Sequence, residues 1–210
     1  MKNKFMFLIL FSFALVACEN MMLPPMNGNG NGNGNGNGNP LLQKMNKMSN
    51  EMDKLMMTKD PDHDFAMMMK THHKGAIDMA NYLMSHGDEA KILGMAKMMK
   101  DMQTMEIAVL DSFMKAHMMM PDSINGMAFM EASGMAMDKM DSLVKVQYLN
   151  KNTDHDFADL MIHHHQSAVE MAEAEIKYGR VLEMKEMATK MKEDQLKEIE
   201  ELKAWVAEHS

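Results

Sequence analysis

Asp62-His63-Asp64-Phe65-Ala66, continued through Met69, His72-His73 and Ala76 to Met79-Ala80, decides the fold, because the chain contains this stretch twice. Asp154-His155-Asp156-Phe157-Ala158 leads through Met161, His164-His165 and Ala168 to Met171-Ala172 at a constant offset of 92 residues. The register runs on without a gap: Gly87 matches Gly179, Met95-Ala96 match Met187-Ala188, and Met99-Lys100 match Met191-Lys192. Gln103, Glu106, Ile107 and Leu110 match Gln195, Glu198, Ile199 and Leu202. A repeat of this kind fixes architecture before any local reading. One structural unit occurs twice, and the two units pack on each other.

Within each copy the apolar positions recur in steps of three and four, the helical period. Asp60 caps the first long helix and Pro61 suits its first position, where a missing N–H costs nothing. The stripe runs Phe65, Met68, His72, Ala76, Met79, Leu83 and His86, and Gly87 ends it as a left-handed residue. Asp88-Glu89 open the partner helix. Its stripe is Ile92, Met95, Met99, Met102, Glu106, Val109 or Leu110, and Phe113, ending near His117. In the second copy Asn152 or Thr153 is the cap. Phe157, Leu160, His164, Ala168 and Met171 follow as far as Tyr178, with Gly179 as the stop. The partner helix carries Met184, Met187, Met191, Gln195, Glu198, Leu202 and Trp205. A shorter helix over Leu41–Met57 and a helical segment within Asp122–Leu149 precede the two hairpins. Met45, Met48 and Met52 in the one match Met137, Met140 and Val144 in the other. No β-like alternation occurs. Two duplicated αα-hairpins with one apolar stripe per helix bury their faces most simply as an all-α four-helix bundle with short additional helices. Copy one spans about 41–117, the connector 118–132, and copy two about 133–208 within a folded region of 41–210.

The N-terminal end is not fold. Lys2 and Lys4 precede an apolar run from Phe5 to Val16, too short to span a bilayer, and residues 1–17 read as a secretory signal. Leu15-Val16-Ala17-Cys18 resembles the bacterial lipobox, which makes Cys18, the chain's single cysteine, the expected lipidation site. Residues 18–40 form a tether in which Asn and Gly alternate from Asn27 to Asn39, a composition with nothing to bury. The expected location is therefore outside the cytoplasm, periplasmic or at the cell surface, on a membrane lipid anchor. Loss of Lys2 and Lys4 takes the formal charge from −8 to −10. That balance argues against nucleic acid as a partner and weakly concentrates small cations.

Methionine is the outlier, 34 residues against 8 Phe and 1 Trp, where ordinary cores use it sparingly. His72 and His164 sit in the middle of their stripes and are expected to point inward. His73 and His165, rotated by about 100°, are expected at the edge of the same face. Met69 and Met161 lie four residues before them, so each copy offers an imidazole and a thioether on adjacent turns. Met68 and His72 repeat the pair in the first copy only. On the partner helices Glu106 and Glu198 fall in or beside the stripe, with Gln103 and Gln195 one turn earlier. Met67-Met68-Met69 cannot all face one core, nor can Met118-Met119-Met120 after His117.

Soft thioethers suit Cu(I) or Ag(I), and imidazole suits copper in either oxidation state. An exported protein has reason to use Met rather than Cys, because thiols oxidise there. Residues 45–140 hold 24 Met and residues 141–210 hold 5, which makes the first copy and connector the main loading region. The candidate metal ligands are His72, His73, His164, His165, Met68, Met69, Met79, Met161, Met171, Glu106, Glu198, His117, Met118, Met119 and Met120. A hydrogen-bonded core of the same histidines is the plainer alternative. His63 and His155, each beside two Asp, are either hard ligands or helix-start residues.

An enzyme is not expected. No Glu-x-x-His of the di-iron type occurs, nor His-Glu-x-x-His, nor a framed Ser or Cys nucleophile. The motifs Asp-x-x-Phe or Asp-Phe, Met-x-x-His-His-x-x-Ala-x-x-Met-Ala and Gln-x-x-Glu-Ile resemble those of the family catalogued as domain of unknown function 305. The resemblance covers roughly residues 60–115 and 152–206. It implies a ferritin-like helical bundle outside the cytoplasm, with copper binding in some, CopM-type, members. It puts the family's histidine pair on His72-His73 and His164-His165, its Met-Ala on Met79-Ala80 and Met171-Ala172, and its Gln-x-x-Glu on Gln103/Glu106 and Gln195/Glu198. The first copy has Thr71 where the second has His163.

The expected function is sequestration, transfer or tolerance of copper, as Cu(I), or of silver. The expected partners are the membrane, through the lipid on Cys18, and a copper-handling protein; the pattern sets no oligomeric state. Two alternatives remain: a Met-rich helical module that binds a protein without metal, and a metal-dependent oxidase built on the bundle.

Overall fold

The computed structural model describes residues 38–149 and 152–209. The expected signal segment, Cys18 and all but the end of the tether lie outside the described residues. Among the described residues the chain forms six helices and no strand: α1 (Pro40–Met52), α2 (Pro61–His86), α3 (Ala90–Ala116), α4 (Asn125–Val146), α5 (Thr153–Tyr178) and α6 (Leu182–Glu208). The protein is an all-α bundle, and none of these helices is long and apolar enough to cross a membrane.

The helix starts follow from local chemistry. Asp60 accepts from the His63 N–H ahead of α2, and Asn152 accepts from the Asp154 and His155 N–H groups ahead of α5. Glu89 caps α3 through the Lys91 and Ile92 N–H groups and also accepts from the buried Trp205 indole at 2.7 Å. Helix α1 starts inside the segment read as tether. Pro40 stands in its first turn, and Asn39 Oδ1 accepts from Leu41 N at 2.9 Å.

Two expected boundaries move. Helix α1 ends at Met52 rather than Met57, because the Asp64 carboxylate draws in the Thr58 and Lys59 N–H groups and turns the chain towards α2, with Lys59 at φ 67°. Helix α4 starts at Asn125, well inside the expected connector, where Asp122 accepts from the Ile124 and Asn125 N–H groups.

Gly87 and Gly179 end their helices, but in extended conformation (φ −87° and −61°) rather than left-handed. They are small for another reason. A Cβ on Gly87 would collide with Asp154 Oδ1, and one on Gly179 with Glu175 Oε1. Asp154, at the start of α5, accepts from the Asp88 and Glu89 N–H groups that open α3, at 3.2 and 3.0 Å. Asp62, at the start of α2, accepts from the Arg180 and Val181 N–H groups that open α6, at 3.0 and 2.8 Å. Each copy therefore caps a helix of the other, and α2 and α5 run antiparallel.

Helices α2 and α5 are the centre. Each packs against the other, against α1 and against α4, and α3 lies on α2 as α6 lies on α5. The contacts repeat at the 92-residue offset, which gives a pseudo-two-fold axis between His72 and His164. Ser49 of α1 bonds its own equivalent, Asp141 of α4, at 2.7 Å. Met45, Met48 and Met52 of α1 and Met137, Met140 and Val144 of α4 are all buried, as their shared register implies.

Candidate metal centre

His72 and His164 face each other across the axis with ring centroids 3.7 Å apart and planes at 36°. Both are fully buried. Burial, and then the neighbouring imidazoles, hold both well below the ordinary histidine range, so both rings are neutral. A neutral ring has one N–H and one bare lone pair, and the hydrogen-bond network assigns them. His164 Nε2 lies 3.0 Å from the His72 carbonyl oxygen, which can only accept, so Nε2 carries the proton. Ser167 Oγ donates to the His164 carbonyl at 2.7 Å and therefore accepts from His72 Nε2 at 2.8 Å. Both Nδ1 atoms are left bare, buried and without a hydrogen-bond partner among the described residues.

Two thioethers that the ligand set read from sequence leaves out lie beside this pair. Met140 Sδ lies 3.3 Å from Ser167 Oγ. Its equivalent, Met48, packs on Gly75, where a Cβ would meet Met48 Cγ at 2.5 Å and His164 Nε2 at 3.6 Å. Gly75 and Ser167 are themselves equivalent positions, so the hydroxymethyl group that meets His72 on one side has no counterpart on the other. The signal was in the sequence: Met48 and Met140 stand at the repeat offset on helices that the two-hairpin reading treats as accessories.

His73 and His165 are not at an edge. Both are fully buried, because α2 is enclosed by α1, α3, α4 and α5, and α5 by its equivalents. Glu106 Oε2 of α3 lies 2.9 Å from His73 Nε2, and Glu198 Oε2 of α6 lies 2.7 Å from His165 Nε2. Each carboxylate stands off the ring N–H axis, so neither pair is an aligned hydrogen bond, and both Nδ1 atoms are again without a partner. Gln103 and Gln195, one turn before these glutamates, are buried, and neither amide oxygen has a partner.

Met68, Met69, Met79, Met161 and Met171 are all core residues. The run Met67-Met68-Met69 is accordingly less exposed than expected: Met68 and Met69 are buried and Met67 is half-buried. Met118, Met119 and Met120 are exposed, Met118 by 82%. They do not join the histidine core. His117 Nε2 is held 2.8 Å from buried Asp60, roughly 18 Å along α2 from His72. Burial opposes ionisation of Asp60, but bonds from Met120 N–H, His117 and His63 N–H outweigh it and keep its pKa below the usual range.

His63 and His155 are separated by the antiparallel arrangement, roughly 30 Å apart along the bundle. Of the aspartates beside them, Asp62, Asp64 and Asp154 are spent on backbone N–H groups, and Asp156 accepts from Asn39. His86, placed on the buried stripe of α2, is instead exposed and stacks on Tyr82.

Among the described residues no three His, Cys, Asp or Glu side chains gather closely enough to hold a metal ion alone. A metal in this core would need thioether or amide donors as well, and the core holds both: Met48 and Met140 near the central pair, and Gln103 and Gln195 one turn from the glutamates that face the flanking pair. For a soft ion the residues fit: bare neutral imidazole nitrogens and buried thioethers, with the other ring nitrogen of each central histidine hydrogen-bonded, as in ordinary metal-ligating histidines.

The family described as Domain of unknown function (DUF305) matches the chain over residues 23–115 and again over residues 62–206, so the two matches overlap. No curated protein and no solved structure matches it.

Proposed function

We propose that this chain, which belongs to the DUF305 family, binds Cu(I) or Ag(I) outside the cytoplasm, to sequester the ion or hand it on, from a membrane anchor at Cys18. One observation carries the reading. His72 and His164 are fully buried and neutral, and each has a buried Nδ1 with no hydrogen-bond partner among the described residues. Buried polar atoms nearly always have partners, so two bare lone pairs at a pseudo-symmetry axis call for a ligand. Buried thioethers are available in the same core, Met48 and Met140 beside the pair and Met69 and Met161 on the same helices as the histidines, and they carry no proton to lose and remain donors where a thiol would oxidise. His72 and His164 would hold the ion, with Ser167 and the His72 carbonyl fixing their tautomers. Bound, the ion supplies no chemistry here beyond its own storage and release.

The test is competition for Cu(I) against a chromophoric chelator, using the full chain with Cys18→Ser so that no thiol contributes. Sub-micromolar affinity that falls in the His72→Gln/His164→Gln variant supports the reading. A chain that fails to compete at micromolar free Cu(I) rejects it.

A second reading has its own observation. A groove of about 490 Å³ between α3 and α6 is lined by Met102, Met105, Val109 and Met187, with Met105 62% exposed. Flexible methionine surfaces suit protein partners. Capture of the same partner by metal-free and metal-loaded chain alike would favour it.

A further inference from the structure

His73 and His165 differ from the central pair in what faces them. The central imidazoles look onto thioethers, a carbonyl and a hydroxyl. The flanking ones look onto a carboxylate, with an amide one helical turn away on the same face. Around His73, the ring Nδ1 and Nε2 and both amide atoms of Gln103 have no hydrogen-bond partner among the described residues. Around His165 the same holds for Nδ1, Nε2, the Gln195 amide oxygen and Glu198 Oε2. The imidazoles and amides are buried, His73 and His165 fully. A single orphaned group in a core is ordinary. Both ring nitrogens and the amide oxygen are orphaned in both copies of a 92-residue repeat, which follows from the packing that the repeat encodes.

We infer that each hairpin carries its own site for a divalent cation of borderline hardness, Zn(II) or Cu(II): His73 with Glu106 and Gln103 between α2 and α3, and His165 with Glu198 and Gln195 between α5 and α6. A plain His–Glu ion pair is the competing account. It explains the N···O separations of 2.9 and 2.7 Å, but not why each carboxylate stands off the N–H axis, nor why a buried amide beside it goes unused. A shared ion explains all three. Two donors on one tetrahedral ion with bonds of about 2.0–2.1 Å stand about 3.3–3.4 Å apart, so each pair would open by about 0.5 Å on loading. The amide oxygen supplies a third donor, and a fourth position stays open to water, which makes the ion exchangeable. Nitrogen and oxygen donors select a borderline divalent ion, whereas thioethers select the soft monovalent one. The chain would then hold two classes of site, one on the axis and one in each hairpin. This inference stands whether or not the central pair takes Cu(I).

Zn(II) is the probe, because it is redox-inert and gains little from thioethers. The metal-stripped full chain with Cys18→Ser is titrated with Zn(II) by calorimetry and by thermal shift. Two equivalents of similar, micromolar or tighter, affinity and a rise in Tm are expected. Glu106→Gln with Glu198→Gln keeps shape and hydrogen bonding and is expected to weaken Zn(II) at least about ten-fold. Gln103→Leu with Gln195→Leu is expected to do the same while raising the Tm of the metal-free chain, since it removes buried amides that lack partners. His72→Gln with His164→Gln is expected to leave both Zn(II) equivalents in place. Fewer than two equivalents in the parent chain overturns the inference. So do two equivalents that survive both the glutamate and the glutamine pairs, or that are lost with the central histidines. Cu(I) affinity, read separately with the chromophoric chelator, is expected to be unchanged in the glutamine pair.

Discussion

The imidazoles of His72 and His164 lie with centroids 3.7 Å apart although 92 residues separate them in the chain. Each stands where the other's equivalent stands, so the axis relating the two copies passes between them. Their partners are not identical. His72 bonds the Ser167 hydroxyl, while His164, facing the Gly75 side, bonds the His72 carbonyl instead. Each acceptor separately gives its ring the Nε2–H tautomer.

Ser167→Ala tests it. Removal of the hydroxyl leaves the His72 N–H buried without an acceptor, and a loss of about 1–3 kcal/mol in urea unfolding is expected. A change within error would mean that His72 does not donate to Ser167. The same variant is expected to weaken Cu(I), because the ring loses the bond that fixes its tautomer.

Asp62 and Asp154 each cap a helix of the opposite copy. Asp62→Ala and Asp154→Ala are each expected to cost about 1–2 kcal/mol. Because the two caps sit at opposite ends of the bundle, the costs should add to within about 0.5 kcal/mol. Hydrogen exchange should localise the first effect to the start of α6 and the second to the start of α3. Loosening at the starts of α2 and α5 instead would contradict the cross-copy assignment.

Glu175 gives a pH signature. Burial, and then the nearby charge of Asp62, push its pKa up to about 9 from an ordinary value of 4.5. Its folded-state pKa is raised, so its contribution is complete below the unfolded value. It is lost as pH rises towards the folded one, because unfolding then releases a proton. Between these values stability should fall by up to about 1.4 kcal/mol per pH unit from this group. Glu175→Gln should remove that slope. Glu175→Leu, which copies Leu83 at the equivalent position, should be at least as stable as the parent at pH 8. Identical pH profiles for parent and Glu175→Gln would rule the assignment out.

Gly75 carries a packing prediction. Its Cβ would meet Met48 Cγ at 2.5 Å, so Gly75→Ala must push α1 off α2 or shift Met48. A loss of about 1–3 kcal/mol is expected, with a visible fall in Tm.

The duplication, the helix types and the inward placement of His72 and His164 were legible because they rest on period and offset. The positions of His73 and His165 were not. A stripe read on one helix assumes one buried face, and α2 and α5 are enclosed by four neighbours each, so a residue about 100° from the stripe is still in the core. Met48 and Met140 were visible as repeat partners, but their nearness to the histidines depends on α1 and α4 lying on the central pair, a tertiary fact. The aspartates at the starts of α2 and α5 read naturally as residues serving their own helices. They serve the opposite copy because antiparallel docking brings the N-termini of α6 and α3 beside them. Gly87 and Gly179 mark helix ends as expected, but closeness to a carboxylate, not a left-handed backbone, selects them.

The central claim is that the bare Nδ1 atoms of His72 and His164 hold a soft metal ion. The most direct measurement is the Cu(I) affinity of the full chain carrying Cys18→Ser, set beside the same chain with His72→Gln and His164→Gln, by competition with a chromophoric chelator. Sub-micromolar binding in the first and at least about a hundred-fold weaker binding in the second is expected. Equal affinity and stoichiometry in the two, with both chains folded, would place the soft site elsewhere and leave the histidine pair as a core hydrogen-bonding element.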